Sequence, residues 1–223
     1  MNREHNDADL TAPHWPASAL LTIDVQRDFL SGRPYGVAGT SETLPELHAL
    51  ATAYRKAGLP IVHVVRLYLA DGSNADISRR DLLRSGAVVA RPGTAGAELA
   101  DGLAPPGTEL DAAALLRGEV QQVGPNEHVM FKPRWNAFFE TPLDAWLRGR
   151  EVDTVVVAGC NFPNCPRGTL FGASERDYRA VAVSDAISQW TPSAQAELDG
   201  LGIRSVATAD VVAAVGRARR LPR

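Results

Sequence analysis

The chain has 223 residues, 45% hydrophobic and 22% charged, with a formal net charge of −3 and a sequence pI of about 6.0. That length and composition suit one domain around one sizeable core, and the charge balance gives no electrostatic surface for nucleic acid or membrane. No apolar stretch approaches the ~20 residues of a membrane helix. The opening "MNREHNDADLTAPHWPASAL" lacks the apolar core of a signal peptide, and two cysteines make no disulfide framework. A cytoplasmic protein with free thiols is therefore expected. Residues 1–18 read as an N-terminal arm, 19–216 as the domain, and 217–223, part of the arginine-rich "GRARRLPR", as a solvated basic tail.

In chain order, "ALLTIDV" (19–25) reads as a buried strand ending on a charge. "TLPELHALATAYRKAG" (43–58) reads as a helix. Thr43 and Glu46 have capping-box spacing, Leu44, Leu47, Leu50, Ala51 and Tyr54 share a face, and Gly58 gives the stop. "LPIVHVVRLY" (59–68) is the next strand. Residues 69–127 read as a loop-rich insertion with two short helices, "RRDLLRSG" and "LDAAALLRG". An excursion of this length suits a lid, a binding surface or a plain surface detour.

Order resumes with a strand at 127–133 and a helix at 141–150, with Thr141 as N-cap and Pro142 in the first helical position. A strand (153–160), a helix (165–177), a strand (178–186), a helix (191–202), a strand (203–210) and a short final helix follow. Several strands are continuous apolar runs and alternate with helices. This pattern predicts an α/β fold with a parallel sheet covered on both faces.

In such a sheet, ligands bind beyond the carboxyl ends of the strands. Asp24 closes the first strand, Lys132 closes the third, and Cys165 lies just past the fourth at the start of a helix. An acid, an ammonium and a thiol are thus predicted to share one edge. Singly, each has an ordinary structural use as a turn residue, a solvated cation or a small core residue. A helix N-terminus and a nearby lysine favour thiolate at Cys165. Backbone N–H groups of 159–165 are in place for a developing oxyanion, and Asp24 for carrying the thiol proton. His48, His63 and His128 lie within or at the start of predicted elements and read as structural. No Cys/His pair has zinc spacing, and no dinucleotide, P-loop or serine-hydrolase motif is present.

"LLTIDVQRDFL", "FKPRWNAFFETPLDAWLRGREVDTVVVAGCNFPNC" and "YRAVAVSDA" resemble, in order, the isochorismatase-like cysteine hydrolases, among them nicotinamidases and N-carbamoyl and ureido amidohydrolases. The resemblance spans roughly 19–215. It implies a Rossmann-like three-layer α/β/α sandwich with a six-stranded, mainly parallel sheet, assembled as a homodimer or homotetramer. It implies an Asp24–Lys132–Cys165 triad, a cis peptide between Cys160 and Asn161, and an oxyanion hole from the N–H groups of Asn161 and Cys165. Gln26 and Phe29 match family positions near the substrate.

The chain also departs from the family. Phe162 and Pro163 stand where many members have Thr and Asp. The segment after the second strand lacks the histidines of the nicotinamidase metal site, so no metal and no cofactor is expected. Tyr68, Trp135, Phe138 and Phe162 are candidates to wall an apolar or planar pocket, and Arg66 and Arg167 to bind a carboxylate. Ordinary packing or structural ion pairs account for these six equally well. The expected activity is hydrolysis of a small amide, lactam or carbamoyl (ureido) C–N bond through a thioester. The alternatives are enol-ether hydrolysis with Asp24 as acid, or a non-catalytic binding protein on the same fold.

Overall fold

The computed structural model describes residues 9–218. Seven strands form one sheet: β1 (Ser18–Ile23), β2 (Ile61–Val65), β3 (Gln121–Gly124), β4 (Glu127–Phe131), β5 (Thr154–Gly159), β6 (Arg179–Ile187) and β7 (Arg204–Val206). Their order is β3-β4-β2-β1-β5-β6-β7. Every neighbouring pair is parallel except β3 with β4. The order runs outward in both directions from β1, so the topological switch point lies between β1 and β5. The carboxyl ends there diverge and leave a crevice.

Seven α-helices complete the described residues: α1 (Leu44–Ala57), α2 (Ile77–Arg84), α3 (Ala112–Leu116), α4 (Leu143–Arg148), α5 (Cys165–Ser174), α6 (Pro192–Asp199) and α7 (Thr208–Ala218). None is long and apolar enough to cross a membrane. Two cores flank the sheet. On one face Leu21, Ile23, Val155 and Val157 pack with Leu143 and Leu147 of α4, Leu170 of α5 and Leu198 of α6. On the other, Leu20, Val156 and Val181 pack with Leu47, Leu50 and Tyr54 of α1, Leu115 of α3, and Val211 and Val215 of α7. Central strands buried on both faces cannot alternate in polarity, which is why β1 and β5 read as unbroken apolar runs. Each such side chain contributes roughly 1.5–3 kcal/mol by leaving water.

The three-layer sandwich is as expected, with one more strand than predicted. The extra strand β3 is half-buried and polar ("QQVG"), and a turn at Pro125–Asn126 folds it antiparallel onto β4. An edge strand needs no apolar face, so it gives no periodic signal. The capping box at Thr43 does not form, because Thr43 is in helical conformation and its hydroxyl donates to the Thr40 carbonyl at 2.9 Å. The helix predicted at 141–150 starts at Leu143, whose N–H reaches Thr141 Oγ1 at 3.3 Å. The strand predicted over 203–210 is divided. Asp185 Oδ1 accepts from both the N–H and the hydroxyl of Thr208, at 2.8 Å each, and α7 begins there. That helix continues through Ala218, into the segment predicted as tail; residues 219–223 lie outside the described residues.

Candidate active site

Strand register brings the candidate residues together. The Asp24 N–H donates to the Val64 carbonyl at 2.8 Å, the Lys132 N–H to Val65 at 3.0 Å, and the Cys160 N–H to Ile23 at 2.8 Å. The ends of β1, β2, β4 and β5 are thereby locked in step. Gly159 leaves no room for a side chain, since a Cβ there would lie 2.3 Å from the Ile23 carbonyl oxygen. Its φ of 118° lies in the region that favours glycine. Asp24 itself has φ 52°, a left-handed conformation that turns the chain sharply out of β1.

Lys132 Nζ donates to Asp24 Oδ2 at 2.8 Å, and neither side chain is more than 6% exposed. The other carboxylate oxygen, Oδ1, is buried without a hydrogen-bond partner among the described residues. Cys165 lines the same cavity as Asp24, close enough for the carboxylate to act on the thiol's charge. Cys165 is the first residue of α5, Asn164 is its N-cap, and Pro166 follows in the first turn, as predicted for that helix start. The environment of the thiol differs from the sequence expectation. Burial pushes Cys165 up to about 11 and the Asp24 carboxylate pushes the same way, while Lys132 and Arg66 pull down only in part. At neutral pH the resting group is therefore a thiol with a buried acceptor beside it, because desolvation outweighs the helix terminus.

The peptide bond between Cys160 and Asn161 is cis. Among the described residues, neither the Asn161 N–H nor the Cys165 N–H donates a hydrogen bond. Both residues line a narrow cavity that opens to the surface. Asp24 and Asn164 share that end of the lining, and Phe29, Val37, Tyr68 and Trp135 form apolar walls. Trp135, 45% exposed, stands at the mouth. Cys160 also lines the cavity, but burial pushes its thiol up to about 12, leaving it un-ionised.

Four predicted pocket residues point elsewhere. Phe138 stacks on Tyr178 with centroids 5.7 Å apart, inside a core. Phe162 packs edge-on against Trp190 at 5.0 Å. Arg167 pairs with Glu197 on α6. Gln26 is fully buried, and its amide is consumed by the backbone of Arg66 and Ala97. Arg66 does line the cavity, 2% exposed and paired with Asp76 at 2.9 Å. Arg79 of α2, which the sequence did not single out, joins it. Only the fold of the 69–127 excursion brings Arg79 to the pocket, and no local motif marks it. With two guanidiniums at this wall, the residues do not fit a divalent cation, and no group of three or more His, Cys, Asp or Glu among the described residues is placed to hold one.

Residues 18–207 match the isochorismatase domain. A probable inactive nicotinamidase of Arabidopsis thaliana is 33% identical over 186 residues, covering 81% of this chain and 85% of that protein. The ureidoacrylate amidohydrolase RutB of Methylobacterium radiotolerans is 27% identical over 192 residues, covering 78% and 67%. The crystal structure of an isochorismatase family protein from Desulfovibrio vulgaris shares 37% identity at a TM-score of 0.74, covering 88% of this chain and 98% of that one. The matched span runs from the first residue of β1 to the residue before α7, and the chain belongs to the isochorismatase family.

Proposed function

We propose that the protein is a cysteine-dependent hydrolase of a small amide, lactam or ureido C–N bond, working through a thioester with Asp24, Lys132 and Cys165 as its triad. The observation that carries this reading is the buried Asp24–Lys132 pair, whose Oδ1 has no hydrogen-bond partner among the described residues and whose Asp24 lines the same cavity as Cys165. Lys132 occupies Oδ2 and so leaves Oδ1 for proton transfer.

Because the thiol rests protonated, attack and deprotonation are coupled. Asp24 takes the proton as sulfur bonds to the substrate carbonyl carbon, a general-base role of about 10²–10⁴-fold. The Asn161 and Cys165 N–H groups, free of other partners, receive the oxyanion. Asp24 returns the proton to the nitrogen as the C–N bond breaks. Ammonia or an amine departs, leaving the acyl group on sulfur. Water then attacks the thioester, Asp24 takes its proton and passes it to the departing sulfur, and the thiol is restored.

Cys165→Ala is expected to lower ammonia release from a panel of small amides and ureido compounds by about 10³-fold or more. Its urea unfolding midpoint should stay close to that of the parent. Equal turnover by the variant would overturn the mechanism.

A further inference from the structure

Three consecutive residues just past β6 grip the loop that carries the Asn161 N–H, each by a different means. Ser188 holds the backbone. Its N–H donates to the Gly159 carbonyl at 3.1 Å, and its carbonyl accepts from the Phe162 N–H at 2.9 Å. These two bonds bracket the peptide between Cys160 and Asn161. Ser188 is itself fixed, being 2% exposed and accepting at Oγ from Thr40 Oγ1 at 3.2 Å. Trp190 holds the next ring along, Phe162, edge-on at 5.0 Å.

Gln189 holds the Asn161 side chain. Its Oε1 accepts from Asn161 Nδ2 at 2.5 Å. The other end of that amide, Asn161 Oδ1, accepts from Asn164 Nδ2 at 3.3 Å, and the Asn164 N–H donates to the Asn161 carbonyl at 3.1 Å. Asn164 is the N-cap of α5, next to Cys165. The side chains therefore run as a relay, Gln189 to Asn161 to Asn164, ending beside the second oxyanion donor. The Asn161 amide cannot rotate without breaking both of its bonds.

An exposed amide pair alone would be ordinary surface chemistry. This one is placed at φ 57°, a left-handed backbone that a side chain longer than glycine seldom adopts, and it acts on a residue of the catalytic cavity. Gln189 is exposed and lies outside the cavity lining, so it does not reach a substrate held there. Donors aimed at a developing oxyanion stabilise it only if they are fixed before the charge appears.

We propose that Gln189 is a positioning residue for the oxyanion hole: its side-chain carbonyl holds Asn161, and with it the Asn161 N–H, where negative charge develops. The inference rests on the hydrolase reading above.

The first arm of the test is kinetic. Ammonia release is followed from acetamide, benzamide and N-carbamoylglycine, using whichever the wild type hydrolyses fastest. Gln189→Ala is expected to lower kcat about threefold to tenfold, the worth of one hydrogen bond, with KM within about twofold of the parent. Gln189→Glu keeps an acceptor and should restore kcat to within about twofold, whereas Gln189→Lys offers only donors and should behave as alanine does. Asn161→Ala removes the same bond and keeps the backbone N–H; combined with Gln189→Ala it should cost no more than the worse single variant. Alkylation of Cys165 by iodoacetamide, read by peptide mass, builds no oxyanion and should keep its rate in Gln189→Ala.

The second arm needs no substrate. Hydrogen exchange across residues 159–164 should quicken in Gln189→Ala and stay at the parent rate in Gln189→Glu. A parental kcat in Gln189→Ala, a loss confined to KM, no rescue by glutamate, alkylation slowed in step with turnover, or exchange unchanged in Gln189→Ala each overturns the proposal. Wild-type protein that releases no ammonia from any probe sinks the hydrolase reading, and the exchange rates then decide whether Gln189 holds Asn161.

Discussion

Lys132 is fully buried, and its ammonium has one anionic partner, Asp24, with the Arg134 carbonyl at 3.3 Å as a second acceptor. Lys132→Met would leave the carboxylate uncompensated in the interior. A loss of about 3–5 kcal/mol is expected from urea unfolding, with much of it recovered in Asp24→Asn/Lys132→Met. Neither variant should turn over substrate. A Lys132→Met protein as stable as the parent would show that the pair does not hold the site together. Asp24, Lys132 and Cys165 were legible in the sequence because each follows an apolar run, and a parallel sheet sets all such ends on one edge. Phe138 and Phe162 were not, because proximity to a motif along the chain does not say which way a ring faces, and both turn into cores. Gln26 was misread for a related reason: its partners Arg66 and Ala97 lie 40 and 71 positions away and are backbone atoms.

Among the elements, β5 and its exit matter most. The approach of Gly159 to Ile23 brings backbone to backbone, so an added methyl cannot be accommodated by rotating a side chain. Gly159→Ala is expected to destabilise by at least about 2 kcal/mol, from strain at positive φ plus the clash. Any folded fraction should lose activity, since the displaced chain carries Asn161. A thermal midpoint within a degree or two of the parent would contradict this. The helices with plain punctuation were legible: Thr191, with Pro192 after it, caps α6 by accepting from the Ala194 N–H. The start of α7 was not, because its cap comes from Asp185, which lies 23 residues earlier at the far end of β6. Strand β3 escaped because a polar edge strand resembles a loop.

For the whole molecule, acid sensitivity follows from a buried polar chain through one core. Thr22 Oγ1 contacts His63 Nδ1 at 2.7 Å, His63 Nε2 contacts Glu127 Oε1 at 2.8 Å, and Arg55 pairs with the same carboxylate. Burial holds the His63 imidazole below its ordinary range despite Glu127, and burial likewise lowers His128. For Glu127, burial opposes ionisation, but Arg55 and His63 prevail and bring it to about 2. Unfolded imidazoles take up protons that the native ones refuse, so stability falls as pH drops through about 6.5. Glu127 adds to the loss between roughly pH 4.3 and 2, where the unfolded carboxylate protonates first. Each proton contributes a slope of at most about 1.4 kcal/mol per pH unit. His63→Gln can make both hydrogen bonds without titrating, and should flatten unfolding free energy against pH between 7 and 5. An unchanged slope would remove His63 from the account.

The 108 positions separating Asp24 from Lys132 also set a timetable for biosynthesis. At about 5–20 residues per second, a ribosome delivers the acid roughly 5–20 s before the base that neutralises it. Until then the first strand carries a charge that resists the interior. A nascent chain that still lacks its fourth strand therefore carries the Asp24 carboxylate without its counter-ion.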